Sequence, residues 1–168
     1  MNWIQGHEFG RKFKALVCHA GIFSTSYLLA TEELFFPEHD LGGEWSTNKD
    51  KWRKWDPMQY TENWKTPQLV IHSELDYRLT MSDGLAAFNV LQRQGVESEL
   101  LVFPDENHSV LKPENLLKWY EAVLNWCNRR VGLPLYKEED LEGIVQDLTR
   151  MKIETERVKV LEWEDGSG

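Results

Sequence analysis

The sequence predicts an α/β fold, a parallel sheet with flanking helices, and three observations predict it. Two largely apolar runs, Gln68-Leu69-Val70-Ile71-His72 and Glu99-Leu100-Leu101-Val102-Phe103, lack the strict polar alternation of half-exposed strands. Leu85, Phe88 and Leu91 recur at helical spacing between them, and a second helical stripe follows the later run. Each run is followed by a polar loop, one holding Asp76 and the other His108. Strand–helix–strand–helix order with apolar strands implies parallel pairing and right-handed crossovers.

In chain order, residues 1–9 read as the tail of a helix, because Trp3 and Ile4 need a surface yet no capping residue introduces them. Residues 13–19 read as a short buried strand ending at Ala20-Gly21. Residues 22–65 are weakly patterned and are expected to form short helices and loops around Trp45, Trp52, Trp55 and Trp64, which are expected to pack rather than to bind a ligand. The strand at 68–72 follows Pro67, and Gly95 stops the helix after it. The strand at 99–103 closes at Pro104. Pro113 then opens a long helix with Leu116, Leu117, Tyr120, Val123, Leu124 and Cys127 on one stripe, ending near Gly132. Beyond Leu133-Pro134 the character changes. Leu141, Ile144, Val145 and Leu148 mark an appended helix, and a charged tail ends in Gly-Ser-Gly.

Composition narrows the function classes. With 168 residues, 41% of them hydrophobic and 28% charged, the chain has material for one domain with a real core. A net charge of -9 argues against a nucleic-acid partner, whose phosphates are met by Lys and Arg. No apolar run approaches the roughly 20 residues needed to span a bilayer, so no membrane partner is expected. The first residues have neither a basic nor an apolar signal region, and localisation is left open. Cys18 and Cys127 both fall in apolar segments and are expected to be small buried hydrophobes, not a disulfide.

In open α/β sheets chemistry gathers in the loops at the carboxyl ends of the strands. Asp76 and His108 occupy such loops on consecutive strands, so they are expected to meet in space. Acyl transfer by a weak nucleophile needs an imidazole base and a carboxylate to orient it, and in α/β hydrolases the order is nucleophile, acid, base. Asp76 and His108 follow that order as catalytic acid and base. Singly, an aspartate there is commonly a turn former and a loop histidine a surface residue; the ordered pair favours chemistry. No Gly-x-Ser-x-Gly occurs, and Ser24, Ser26, Ser82 and Cys18 lack the glycine-flanked strand–turn–helix setting, so the nucleophile serine is not present. Arg78 is expected to position the acid's loop and Glu106 to shape the base's loop. His7-Glu8 lacks the second histidine of a zinc helix, and His19, His39 and His72 show no ligand spacing; neither metal nor cofactor is expected. Asn107-His108-Ser109 is a formal glycosylation sequon that a glycan would turn against the base, and it is expected to be unused.

Several segments carry a resemblance. They are Asn2-Trp3-Ile4-Gln5-Gly6-His7, Lys12-Phe13-Lys14-Ala15-Leu16-Val17-Cys18-His19, Phe35-Phe36-Pro37-Glu38-His39-Asp40-Leu41-Gly42-Gly43, Trp55-Asp56-Pro57, Leu69-Val70-Ile71-His72-Ser73-Glu74-Leu75-Asp76-Tyr77-Arg78 and Phe103-Pro104-Asp105-Glu106-Asn107-His108. Over residues 1–133 the chain resembles the C-terminal catalytic region of the prolyl-oligopeptidase family of serine peptidases, the S9 type, and within it the fungal dipeptidyl-peptidases. The resemblance implies the C-terminal part of an α/β-hydrolase fold, with residues 134–168 appended to it. It places the acid in an Asp-x-Arg motif at Asp76 and Arg78, and the base at the histidine of Glu106-Asn107-His108. It also implies that the family's Gly-x-Ser-x-Gly-Gly turn precedes the segment like Asn2-Trp3-Ile4, so the nucleophile strand and turn are expected to be missing. Ser109 departs from the aromatic residue expected after the histidine.

The implied activity is removal of dipeptides from peptide N-termini, with a peptide as substrate, in relatives that are often secreted. An esterase or thioesterase on the same fold is a second enzyme class, since the triad alone does not choose the acyl group. A catalytically dead fragment or binding remnant is the non-enzyme alternative. An open apolar sheet edge beside the missing strand is expected to drive self-association.

Overall fold

The computed structural model describes residues 1–137. Its centre is a three-stranded parallel sheet in the order β1-β2-β3, made of β1 (Leu16–His19), β2 (Gln68–Ser73) and β3 (Ser98–Phe103). Leu16 lies opposite Gln68, and Gln68 opposite Ser98, so the three carboxyl ends open on the same side. All six residues of β2 are buried, as the apolar run predicts for a central strand covered on both faces.

Helices cover the two faces. On one face Val70 packs with Phe23, Trp64 and two residues of α4 (Met81–Arg93), Ala87 and Leu91. On the other, Leu69, Ile71 and Phe103 pack with Trp126 of α5 (Pro113–Val131). The alternation of side chains along β2 therefore sends Val70 toward α4 and Leu69 and Ile71 toward α5. α4 stops in a Schellman motif: Gly95 takes φ +67°, its N–H donates to Gln92 O and the Val96 N–H to Leu91 O. Pro113 stands at the start of α5, where no N–H is needed, and Gly132 closes it at φ +73°.

The stretch between β1 and β2 forms short elements, as expected: α2 (Phe35–Asp40), α3 (Lys49–Lys54) and two 3₁₀ segments, Thr25–Ala30 and Pro57–Asn63. Residues 2–5 form α1 (Asn2–Gln5), and a 3₁₀ turn, Glu8–Lys12, follows it. α1 is anchored by buried amides. Gln5 Nε2 donates to Thr66 O (2.6 Å), the Thr66 N–H to Gln5 Oε1 (3.1 Å), and Gln68 Nε2 to Asn2 Oδ1 (2.9 Å).

Four expectations need correction. β1 starts at Leu16, not at Phe13, because Phe13 ends the 3₁₀ turn and remains exposed. Leu85 is exposed; α4 buries Asp83, Gly84, Ala87 and Leu91, and of these Gly84 and Ala87 are small enough to let it approach the sheet. Cys127 is exposed whereas Cys18 is buried, and both are free thiols. The inward stripe of α5 is Trp119, Ala122, Val123 and Trp126, because the Trp126 indole reaches Leu16 O (3.0 Å) under β1 and turns the neighbouring Cys127 outward. Of the appended segment, residues through 137 are described. Asn128 Nδ2 donates to Pro134 O, and Asn125 exchanges two hydrogen bonds with the Tyr136 backbone, which lays this stretch along α5. The helix expected at Leu141, Ile144, Val145 and Leu148 lies outside the described residues.

Candidate active site

The loops after β2 and β3 are tied to one another before any side chain is considered. The Glu74 N–H donates to Phe103 O (3.0 Å) and the Leu75 N–H to Glu106 O (3.1 Å). This brings Asp76 and His108 together as the order of elements predicts. Asp76 is buried, and its Oδ1 accepts from the Arg78 N–H (3.0 Å) and the Leu79 N–H (2.9 Å). Its Oδ2 lies 3.0 Å from His108 Nδ1. A carboxylate already held by two backbone N–H groups is an acceptor, so Nδ1 donates to it, and the tautomer of the neutral ring with its proton on Nδ1 has its lone pair on Nε2.

Glu106 is tied into the backbone beyond His108. It is buried, and its two oxygens accept from the Leu111 N–H (3.1 Å), the Lys112 N–H (2.9 Å) and Asn115 Nδ2 (2.9 Å). Burial alone would raise its carboxyl pKa, but these donors prevail and hold it below the ordinary glutamate range. Arg78 differs from expectation in how it acts. Its backbone N–H supports Asp76, whereas its guanidinium makes a bidentate pair with Glu33 (2.7 and 2.9 Å).

Two residues given no role in the sequence reading also stand at this end of the sheet. His72, penultimate in β2, is wholly buried, with Nε2 2.7 Å from Leu79 O and 3.8 Å from Asp76 Oδ2. His19, last in β1, accepts at Nδ1 from the Trp119 indole (3.2 Å). Burial first, then the neighbouring His72 and His108, lowers the pKa of His19. The available signal was position: both histidines lie within one residue of a strand's carboxyl end, on the side where Asp76 and His108 emerge. Among the described residues no group of three or more His, Cys, Asp or Glu could hold a metal ion.

His108 lines two clefts. The larger, about 530 Å³, is walled by Trp3, Leu28, Phe36, Trp55 and Leu79, with Glu33 and Arg78 on its polar side. The smaller, about 380 Å³, lies between His108, Ser109, His19, Trp119 and Tyr120. Of the four tryptophans expected to pack, Trp52 and Trp64 are fully buried, Trp45 is exposed, and Trp55 is exposed on the larger cleft. The considered hydroxyls lie elsewhere: Ser24 is buried against Asp56 (3.2 Å) and Ser26 (2.7 Å), and Ser82 is exposed on α4. Among the described residues, the one hydrogen bond that His108's ring makes is to Asp76.

A parallel sheet that presents an aspartate and a histidine from consecutive strand-end loops is the architecture of the α/β hydrolases. Residues 1–133 match the model of the prolyl oligopeptidase family, and the chain belongs to that family. It is 55% identical over 127 residues to dipeptidyl-peptidase 5 of Schizosaccharomyces pombe, an alignment covering 75% of this chain and 19% of that protein. It is 54% identical over 135 residues to the probable dipeptidyl-peptidase 5 of Aspergillus terreus, covering 79% and 19%. Among solved structures, acylaminoacyl peptidase of Pyrococcus horikoshii aligns with a TM-score of 0.68 at 25% identity, over 82% of this chain and 23% of that one. A Mycobacterium tuberculosis puromycin-hydrolyzing peptidase shares the fold, with a TM-score of 0.69 at 18% identity over 80% and 20%. The aligned part of this chain thus corresponds to about a fifth of the length of these fungal relatives.

Proposed function

We propose that this chain carries the acid and the base of a serine-peptidase site of the dipeptidyl-peptidase type, with Asp76 as the acid and His108 as the base. The observation that carries this reading is the 3.0 Å contact between His108 Nδ1 and a buried Asp76 whose other oxygen is fixed by two N–H groups. In that arrangement His108 Nε2 takes the proton of an attacking hydroxyl as the hydroxyl oxygen bonds to the peptide carbonyl carbon. It then returns the proton to the leaving amine as the C–N bond breaks. Asp76 keeps the ring in the required tautomer and stabilises its cation. The larger, mainly apolar cleft beside His108 is suited to a peptide's side chains, and the similarity to dipeptidyl-peptidase 5 proteins supports release of dipeptides as the reaction.

A second reading is favoured by one observation: no described hydroxyl or thiol hydrogen-bonds His108. In it, the chain by itself does not turn over, and the pair works only with a nucleophile supplied by other polypeptide sequence. Triad members act as a unit, so loss of one removes most of the rate.

A fluorophosphonate probe applied to the purified 168-residue chain separates these readings, with His108→Ala and Asp76→Asn as controls. Label that disappears in both controls means the nucleophile lies within the chain. Label that persists in His108→Ala removes His108 as the base. An unlabelled but folded chain favours the second reading.

A further inference from the structure

We infer that His72 is a positioning residue for Asp76, holding the acid's loop in register through a hydrogen bond from its Nε2–H to the Leu79 carbonyl. The inference rests on Asp76 being the acid. A carbonyl can only accept, so the 2.7 Å contact places the proton of the neutral ring on Nε2. The same residue, Leu79, gives its N–H to Asp76 Oδ1 at 2.9 Å. Leu79 is therefore gripped at both ends, by His72 at its C=O and by Asp76 at its N–H. With Oδ1 anchored in this way, Oδ2 is the oxygen left to face His108. His72 itself stands 3.8 Å from Oδ2, too far for a direct hydrogen bond, so its influence runs through the loop backbone.

Two further features argue that the ring is there for its donor. His72 Nδ1 is buried without a partner, an unfavourable state that an apolar side chain filling the same space would avoid. The ring is also clamped. At Gly84 of α4, an added Cβ would lie 2.8 Å from His72 Nδ1 and 3.0 Å from its Cβ and Cγ, so the helix backbone packs close against that side of the imidazole. The central strand fixes the base of the ring, α4 fixes its face, and Nε2 is delivered to Leu79. Leu79 also lines the larger cleft, so the same clamp sets one part of the cleft wall.

The test is nuclear magnetic resonance on the 168-residue chain, which needs no turnover. The ¹⁵N signals of His72 in the wild type are expected to report the Nε2–H tautomer; a proton on Nδ1 instead overturns the inference. The second readout is the far-downfield proton of His108 Nδ1 in its bond to Asp76. It is expected to survive in His72→Gln, whose amide reaches the position of Nε2, and to be lost in His72→Leu with circular dichroism unchanged. Survival of that proton in His72→Leu, or its loss from a folded His72→Gln, overturns the inference. Should His72→Leu fail to fold, the wild-type tautomer and the glutamine variant decide. Absence of the His108 proton in the wild type would instead count against Asp76 as the acid, while the His72 tautomer stays readable.

Discussion

Substituting Gly84 by alanine sets two opposite effects against each other, and the structure says which is larger. Alanine inside a helix is favoured over glycine by about 1 kcal/mol. Against this stands the contact of the new Cβ with His72, at 2.8 Å from Nδ1 and 3.0 Å from two carbons, where carbon atoms prefer about 3.5–4.0 Å. The strain is relieved only if something moves by several tenths of an ångström. His72 cannot give way cheaply, being wholly buried on the central strand and bonded to Leu79. The movement falls to α4, whose Ala87 and Leu91 pack with Val70. Overpacking of this kind costs about 1–3 kcal/mol, and with an unyielding neighbour we place it in the upper half of that range. The expected net effect of Gly84→Ala is a loss of about 1–2 kcal/mol, or about 2–8 °C in Tm for a chain of this size. Urea unfolding followed by circular dichroism measures it. A variant as stable as the wild type, or more stable, would refute the reasoning, because helix propensity would then have outweighed the clamp on His72.

Two further predictions concern the elements that frame the site. Glu106→Gln removes a charge that accepts three hydrogen bonds, and at pH 7 it is expected to cost about 2 kcal/mol. The folded pKa of Glu106 is depressed, so its contribution is fully present above the ordinary glutamate value of 4.5 and is lost as pH falls through the folded value. The gap in urea midpoint between wild type and variant should therefore narrow on acidification, and parallel curves would refute the assignment. Trp126→Ala should cost about 3–5 kcal/mol by removing a fully buried side chain together with its bond to Leu16 O, whereas Cys127→Ala should change stability by less than about 0.5 kcal/mol. Comparable losses in the two variants would mean that the inward face of α5 is wrongly placed.

Proximity of Asp76 and His108 was legible in the sequence because it depends on order alone. Two apolar runs joined by a helix are parallel neighbours, and parallel neighbours put their following loops side by side. The inward face of α5 does not depend on order. Its apolar residues occupy more than one side of the helix, and at the adjacent positions 126 and 127 either residue fits a hydrophobic stripe. The difference lies in a long-range contact that periodicity does not contain, an indole reaching a carbonyl of β1. Leu85 fails for a related reason. A helix that approaches a sheet closely buries its smallest residues, so Gly84 and Ala87 lie inward and the leucine that looked like core lies outward.

His72 joins these two cases. Within Val70-Ile71-His72 it reads as one more buried strand residue, and burial is correct, but burial leaves unsaid what its nitrogen meets. A fully buried imidazole gains by giving its N–H to an acceptor, and in a strand that runs into an acid's loop the backbone of that loop is within reach. The general consequence is testable by reading other sheets of this kind. Where a polar side chain interrupts a central apolar strand within one turn of a functional loop, its hydrogen bond should run forward into the loop, since the strand's own backbone groups are already paired with the strands on either side.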